Sequence, residues 1–269
     1  MIDLKETTLI IPIRIEHPDR LRNAKSVLGY LNSNLKTNVF IYEVTEDTSK
    51  LEFLDNLENL NIKHWISKPE SAFHRTKYLN IMLDEVGTPV VSNYDIDVII
   101  DPQNYLECQD SILRREFDVV YPYEFGYGQR AIKPIFDYQG FESSGYSMDF
   151  INSDPGNYFE LQAEFGHCMF FSTDVYRKFG GENENFVSYG PEDKERGFRF
   201  SRLGNKVTWK PGYKIYHFEH HRGSDSSPLN PHIAKNWEIF HTLNSMNAET
   251  LFNYYQKVDY ANKYKNIGK

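Results

Sequence analysis

Cysteine is scarce: Cys108 and Cys168 are the two in 269 residues, and they are not in CxxC spacing. That scarcity excludes a disulfide framework and a cysteine-held structural zinc, and it favours a reducing, cytoplasmic setting. Long apolar runs are missing as well. None approaches the roughly 20 residues of a membrane-spanning helix, and the N-terminus, MIDLKE, enters a strand pattern without a signal-like stretch. The expectation is a chain neither exported by a cleavable signal nor anchored by its own helix, with peripheral membrane association left open. Basic runs are also absent: 30 Lys+Arg stand against 38 Asp+Glu, a net charge of −8. Without a phosphate-tracking surface, a polynucleotide partner is not expected. No internal repeat is visible, which excludes solenoids and propellers.

What is present, 40% hydrophobic and 15% aromatic residues, is enough to bury a large core in one α/β domain. Thr7 to Ile15 (TTLIIPIRI) reads as a buried strand. Pro18 and Asp19 then open a helix with Leu21, Ala24, Leu28, Leu31 and Leu35 on one face. Further strands are expected at Asn38–Val44, Ile62–Ile66 and Pro89–Tyr94, with helices at Leu51–Leu60 and Phe73–Val86 between them. Strands alternating with helices predict a mainly parallel sheet covered on both faces, whose ligands bind beyond the carboxyl ends of the strands. The second half is less regular. Asp118–Tyr123 and His167–Ser172 read as strands, Asp174–Phe179 and Glu192–Leu203 as helices, and Val207–His217 as one or two strands. Glu124–Glu160 reads as a long loop region with short elements, and about 231–265 as a helical tail.

Four clusters carry candidate chemistry. Asp95-Ile96-Asp97 follows an apolar strand, and in extended chain the two carboxylates project to one face roughly 7 Å apart, able to address one ligand; loop capping is the alternative. His217, His220 and His221 lie close enough to converge on a cation such as Mn²⁺, or are surface histidines. Glu192 and Asp193 open a helix, where acidic residues complement the helix dipole or supply a general base. Phe73-His74-Arg75-Thr76-Lys77 puts cations at a helix start, which suits an anionic or nucleotide ligand or a solvated face.

In order, these pieces resemble the β-1,4-galactosyltransferase group of nucleotide-sugar transferases and its bacterial relatives. Ile11-Pro12-Ile13-Arg14 is similar to that family's strand ending in Pro-Phe-Arg, and Phe73 to Asn80 to its Phe-Asn-Arg-Ala-Lys-Leu-Leu-Asn segment. Asp95-Ile96-Asp97 resembles its Asp-Val-Asp metal motif, and Tyr189-Gly190-Pro191-Glu192-Asp193 its Trp-Gly-Gly-Glu-Asp. His217-Phe218-Glu219-His220, followed by Arg222, is similar to Met-x-x-His-x-Arg, with His217 in place of the family's Met. The matched blocks run from about residue 9 to 235.

The resemblance implies a GT-A fold, Rossmann-like with a mainly parallel mixed sheet, over residues 1–230, and a helical appendage over 231–269. It implies Asp193 as catalytic base and Glu192 holding the donor sugar. Pro12, Arg14, Phe73, Arg75, Asp95, Tyr189 and Gly190 would bind the donor, and Asp97, His217 and His220 a divalent metal, expected to be Mn²⁺. Glu164 falls near a position that shapes the donor pocket. The implied activity is an inverting transfer of a hexose, galactose or N-acetylgalactosamine, from a UDP-sugar to a saccharide or lipid-linked oligosaccharide. A catalytically silent UDP-sugar-binding module and a nucleotide-sugar hydrolase are the alternatives. His220 to Pro231 is expected to be mobile without donor and to close over it.

Overall fold

The computed structural model describes residues 1–70, 72–223, 226–258 and 260. In chain order the elements are β1 (Ile2–Ile13), α1 (Pro18–Asn34), β2 (Leu35–Val44), β3 (Leu60–Ser67), α2 (Arg75–Asp84), β4 (Val90–Tyr94), β5 (Val98–Ile100) and α3 (Pro102–Leu113). They continue with β6 (Val119–Tyr121), β7 (Gly126–Ile132), α4 (Tyr138–Ser143), α5 (Met148–Asn152), β8 (Tyr158–Ala163), β9 (Cys168–Ser172) and α6 (Thr173–Lys178). The last are α7 (Glu192–Arg202), β10 (Val207–Trp209), β11 (Ile215–Phe218), α8 (Ile233–Ser245) and α9 (Ala248–Lys257).

A seven-stranded sheet runs β10-β6-β9-β4-β1-β2-β3, with β9 antiparallel to both its neighbours and the other pairings parallel. Its central strand β1 is continuously buried from Thr7 to Ile13. Pro12, which lacks an N–H, lies beyond the Thr7–Ile10 stretch that pairs with β4. A second sheet, β5-β11-β7-β8, packs β11 antiparallel to β5 and parallel to β7. One apolar cluster joins both sheets to α1 and α3, and a smaller one joins Phe186 to Phe240, Leu243, Leu251 and Tyr255 of the C-terminal helices.

Two expectations are corrected, and one helix is added. Leu51–Leu60 is not an α-helix: only Glu52–Asn56 form a 3₁₀ turn, with no residue buried. Asp55, Asn56 and Asn59 favour local bonds, and Asn59 spends its backbone and side-chain N–H groups on Asn32 (2.9 and 3.0 Å). Glu124–Glu160, besides short helices, holds the strand β7 and the start of β8, and Gly126 and Gly128 dilute the alternation of β7. Gly128 is required there, because a Cβ would sit 2.1 Å from the Glu124 carbonyl oxygen. Helix α3 was not anticipated, although Asp101 caps it through Gln103 N–H and Pro102 occupies its first turn. Of the segment expected to close over donor, Ser224 and Asp225 lie outside the described residues, as do Asp259 and residues 261–269 of the tail. No described helix is long and apolar enough to cross a membrane.

Candidate active site

The strand ends determine where polar groups meet. β1 delivers Arg14, β4 delivers Asp95, and antiparallel β9 begins beside the end of β4, with Tyr94 opposite Cys168. His217 on β11 pairs with Val98 of β5, and Phe218 N–H donates to the Asp97 carbonyl (2.8 Å), which brings Asp97 and His217 together. A cleft of about 690 Å³ opens at this edge. The twelve residues to which the resemblance gives a catalytic, donor-binding or metal role line it, Pro12, Arg14, Phe73, Arg75, Asp95, Asp97, Tyr189, Gly190, Glu192, Asp193, His217 and His220, whereas His221, His74 and Lys77 do not.

Asp97 lies at the centre of a donor set. Its Oδ1 is 3.6 Å from His217 Nε2 and its Oδ2 3.0 Å from His220 Nε2, and ligand atoms of the three lie within 4.8 Å of one another. The other imidazole nitrogens are tied down: His217 Nδ1 to Glu219 Oε1 (2.9 Å) and His220 Nδ1 to the His221 carbonyl (2.7 Å). A carbonyl and a carboxylate only accept, so both Nδ1 atoms carry the proton. Both Nε2 lone pairs then face a carboxylate, and only a proton or a metal ion between them relieves that. The residues therefore fit a divalent cation with mixed nitrogen and oxygen ligation. Burial would raise the Asp97 carboxyl, but His217 and His220 outweigh it and hold it far below the usual carboxylate range.

Across the cleft, the first turn of α7 presents two carboxylates in unlike states. Burial, reinforced by Asp193, pushes Glu192 up to about 8, and its Oε2 has no hydrogen-bond partner among the described residues. Asp193 is half-buried, and although desolvation works to raise it, Arg196 and Arg75 hold it below the ordinary range. Arg196 Nη2 donates to Asp193 Oδ1, and Arg75 Nη1 lies 3.5 Å from the same oxygen. Arg75 also holds Asp95 at 2.7 Å, so Asp95 is engaged by a guanidinium and lies outside the Asp97–histidine set. At the far end, the Arg14 guanidinium lies 5.5 Å from the centre of the Phe73 ring.

Sequence reasoning missed several contributors. Arg196, 1% exposed, bridges Asp193 to the equally buried Glu182 (2.6 Å), which also accepts from Asn93 on β4 (2.7 Å) and Tyr176. No local motif marks an arginine four residues into a helix as the clamp for a carboxylate. Gly166, at φ +92°, admits Asp193: a Cβ there would sit 2.5 Å from Asp193 Oδ2. Its φ is legible only as a bare glycine in the sequence. The C-terminal helix α8 contributes Ile233 and Trp237 to the lining, and Asn236 bonds the Val187 and Tyr189 carbonyls (2.9 and 3.1 Å) across Gly190.

No protein-family model and no curated protein matches the chain. Solved structures do. S. aureus TarS 1-349 in complex with UDP-GlcNAc aligns with TM-score 0.59 at 12% identity over 92% of this chain and 69% of that one. S. aureus TarS 1-349 in complex with UDP gives 0.56 at 14% over 82% and 62%. GalNAc-T7 with UDP, GalNAc and Mn²⁺ gives 0.56 at 14% over 88% and 47%, so this chain spans less than half of that protein. At such identities the likeness carries the fold alone, and the β-1,4-galactosyltransferase resemblance rests on the site residues. An α/β sheet of this order, flanked by helices and matched to these structures, is the GT-A fold.

Proposed function

We propose that the chain is a metal-dependent inverting glycosyltransferase that moves a hexose, galactose or N-acetylgalactosamine, from UDP to a saccharide or lipid-linked oligosaccharide in a cytoplasmic setting. The observation that carries this reading is the convergence of an Asp97–His217–His220 set and a Glu192–Asp193 pair on one cleft at the carboxyl ends of β1 and β4. The printed ligands of the structural neighbours, UDP, UDP-GlcNAc and Mn²⁺, support a nucleotide-sugar donor.

In this reading Asp97, His217 and His220 would hold a divalent cation such as Mn²⁺, which would supply positive charge for the departing diphosphate. Arg14 and Phe73 hold the nucleotide. Glu192, neutral below about pH 8, donates a hydrogen bond to a hydroxyl of the donor sugar through its buried carboxyl. Asp193, kept ionised by Arg196 and Arg75, accepts the proton of the acceptor hydroxyl as its oxygen bonds to the anomeric carbon. The bond from that carbon to the phosphate oxygen breaks in the same step, and UDP leaves with the electron pair. Attack on the opposite face converts an α-linked donor into a β-linked product.

The decisive experiment is a panel of UDP-sugars with Mn²⁺, scored for binding and for UDP release with and without candidate acceptors. Asp193→Asn should keep UDP binding and lose transfer by about 10²- to 10⁴-fold, the usual range for a general base. UDP release at one rate whatever acceptor is added would point to a hydrolase instead, and binding without turnover to a silent module.

A further inference from the structure

Among the described residues, four other than glycine have a left-handed backbone: Arg115, Tyr146, His167 and Ser188. His167 and Ser188 line the cleft. At φ +59°, His167 pays a conformational cost that a glycine would not, next to Gly166, which is left-handed as well. The neighbourhood enforces this geometry. The His167 carbonyl accepts the Asp95 N–H (2.9 Å), and the Gly166 carbonyl accepts the Tyr123 hydroxyl (3.0 Å) and the Cys168 N–H (2.8 Å).

The result is a fixed ring. The imidazole packs edge-on to Tyr123, with ring centres 6.2 Å apart, and tilts against His217 at 5.6 Å. The ring contact with His217 on one side, and Gly166 lying against Asp193 on the other, put His167 between the metal-ligand set and the carboxylate at the start of α7. Its ring nitrogens are given no hydrogen bond by any described residue. An imidazole offers an N–H donor and, when neutral, an acceptor nitrogen, so the ring has hydrogen-bonding capacity to spend on a ligand.

We infer that His167 is a donor-sugar-contacting residue, its imidazole hydrogen-bonding a hydroxyl of the transferred hexose and so selecting among UDP-hexoses. The inference rests on the functional reading above: if the diphosphate lies at Asp97 and the acceptor hydroxyl at Asp193, the hexose lies between them, where the ring is. Strain kept at a cleft residue is then explained by the contact that it makes.

The test uses the full chain and two variants that accept a left-handed backbone, His167→Gly and His167→Asn, so that a lowered Tm is not expected from either. Affinities for UDP and for a panel of UDP-hexoses are measured with Mn²⁺. UDP affinity should be unchanged in His167→Gly, while affinity for the preferred UDP-hexose falls about five- to tenfold, the worth of one neutral hydrogen bond, and the preference across the panel flattens. His167→Asn, still a donor and acceptor, should restore part of the affinity or shift the preferred epimer. Wild-type affinities and preferences in both variants would overturn the inference alone. A parallel fall in UDP affinity would overturn it too, by placing the effect in the metal site. A wild-type chain that binds neither UDP nor any UDP-hexose would overturn the functional reading and this inference together.

Discussion

Asp193, half-buried, and Glu192, buried, are adjacent and chemically opposite, and the difference comes from which cations each can reach. Arg196 and Arg75 converge on Asp193 Oδ1, whereas the Glu192 carboxyl is left with an oxygen that no described residue satisfies. Because the folded-state value of Glu192 is raised to about 8, its contribution to stability is complete below the ordinary carboxylate range. It is lost as pH climbs through about 8. Donor turnover should show an alkaline limb with a midpoint near pH 8. Glu192→Gln, still a hydrogen-bond donor, should remove that limb from the kcat/KM profile and flatten the fall in Tm between pH 6 and 9. An unchanged limb in the variant would assign it to another group. Arg196 offers a complementary case. Removing it as Arg196→Met leaves Glu182 buried and uncompensated, which should cost about 3–5 kcal/mol, read as a lower denaturant midpoint at constant slope.

At the scale of elements, the site depends on close approaches that side chains would prevent. Gly166 precedes β9 with its α-carbon against the first turn of α7. Gly166→Ala places a methyl group 2.5 Å from Asp193 Oδ2 and in a left-handed backbone, so α7 must retreat or the carboxylate must rotate. Transfer should fall at least about tenfold, the loss expected when a reacting group is misplaced, while UDP affinity with Mn²⁺ is kept. Retention of wild-type kcat would show that Asp193 tolerates the displacement. The pairing of β5 with β11 has a comparable role, because it alone carries Asp97 and His217, 120 positions apart in number, to within 3.6 Å. The flanks of the segment from His220 to Pro231 are pinned: His221 N–H donates to Asp19 (2.5 Å), and Asn230 donates to the Val187 carbonyl (3.1 Å).

For the whole molecule, the proposed binding of a diphosphate by an acidic chain of net charge −8 is supported by a cleft that collects Arg14, Arg20, Arg75 and Arg222 around the candidate cation site. A resident metal that binds only the folded state adds about 2.7 kcal/mol at a hundredfold excess over its dissociation constant. Mn²⁺ should therefore raise Tm and chelation should reverse the gain, whereas His220→Ala should abolish the Mn²⁺-dependent shift. An undiminished shift in that variant would locate the metal elsewhere. Both thiols are free and buried, and burial pushes both above the ordinary cysteine range, so neither offers competing thiolate chemistry.

The alternation of apolar strands with helices from Thr7 to Tyr94 was legible because parallel strands buried on both faces show as continuous β-branched runs. The paired acids and histidines were legible because each pair is local in the chain. Neither local pattern reveals how distant segments meet. β7 and β8 are strands because β11 and each other supply their hydrogen bonds, despite glycines that weaken the alternation. Arg196 became a clamp only when folding buried Glu182 beside it, and Trp237 joined the cleft only when α8 docked on the loop before α7. By itself the sequence determined the fold class and which side chains carry ionisable chemistry, since both follow from local composition and period. Tertiary structure alone decided their protonation and aim, because burial and the distance to a counter-charge are properties of packing.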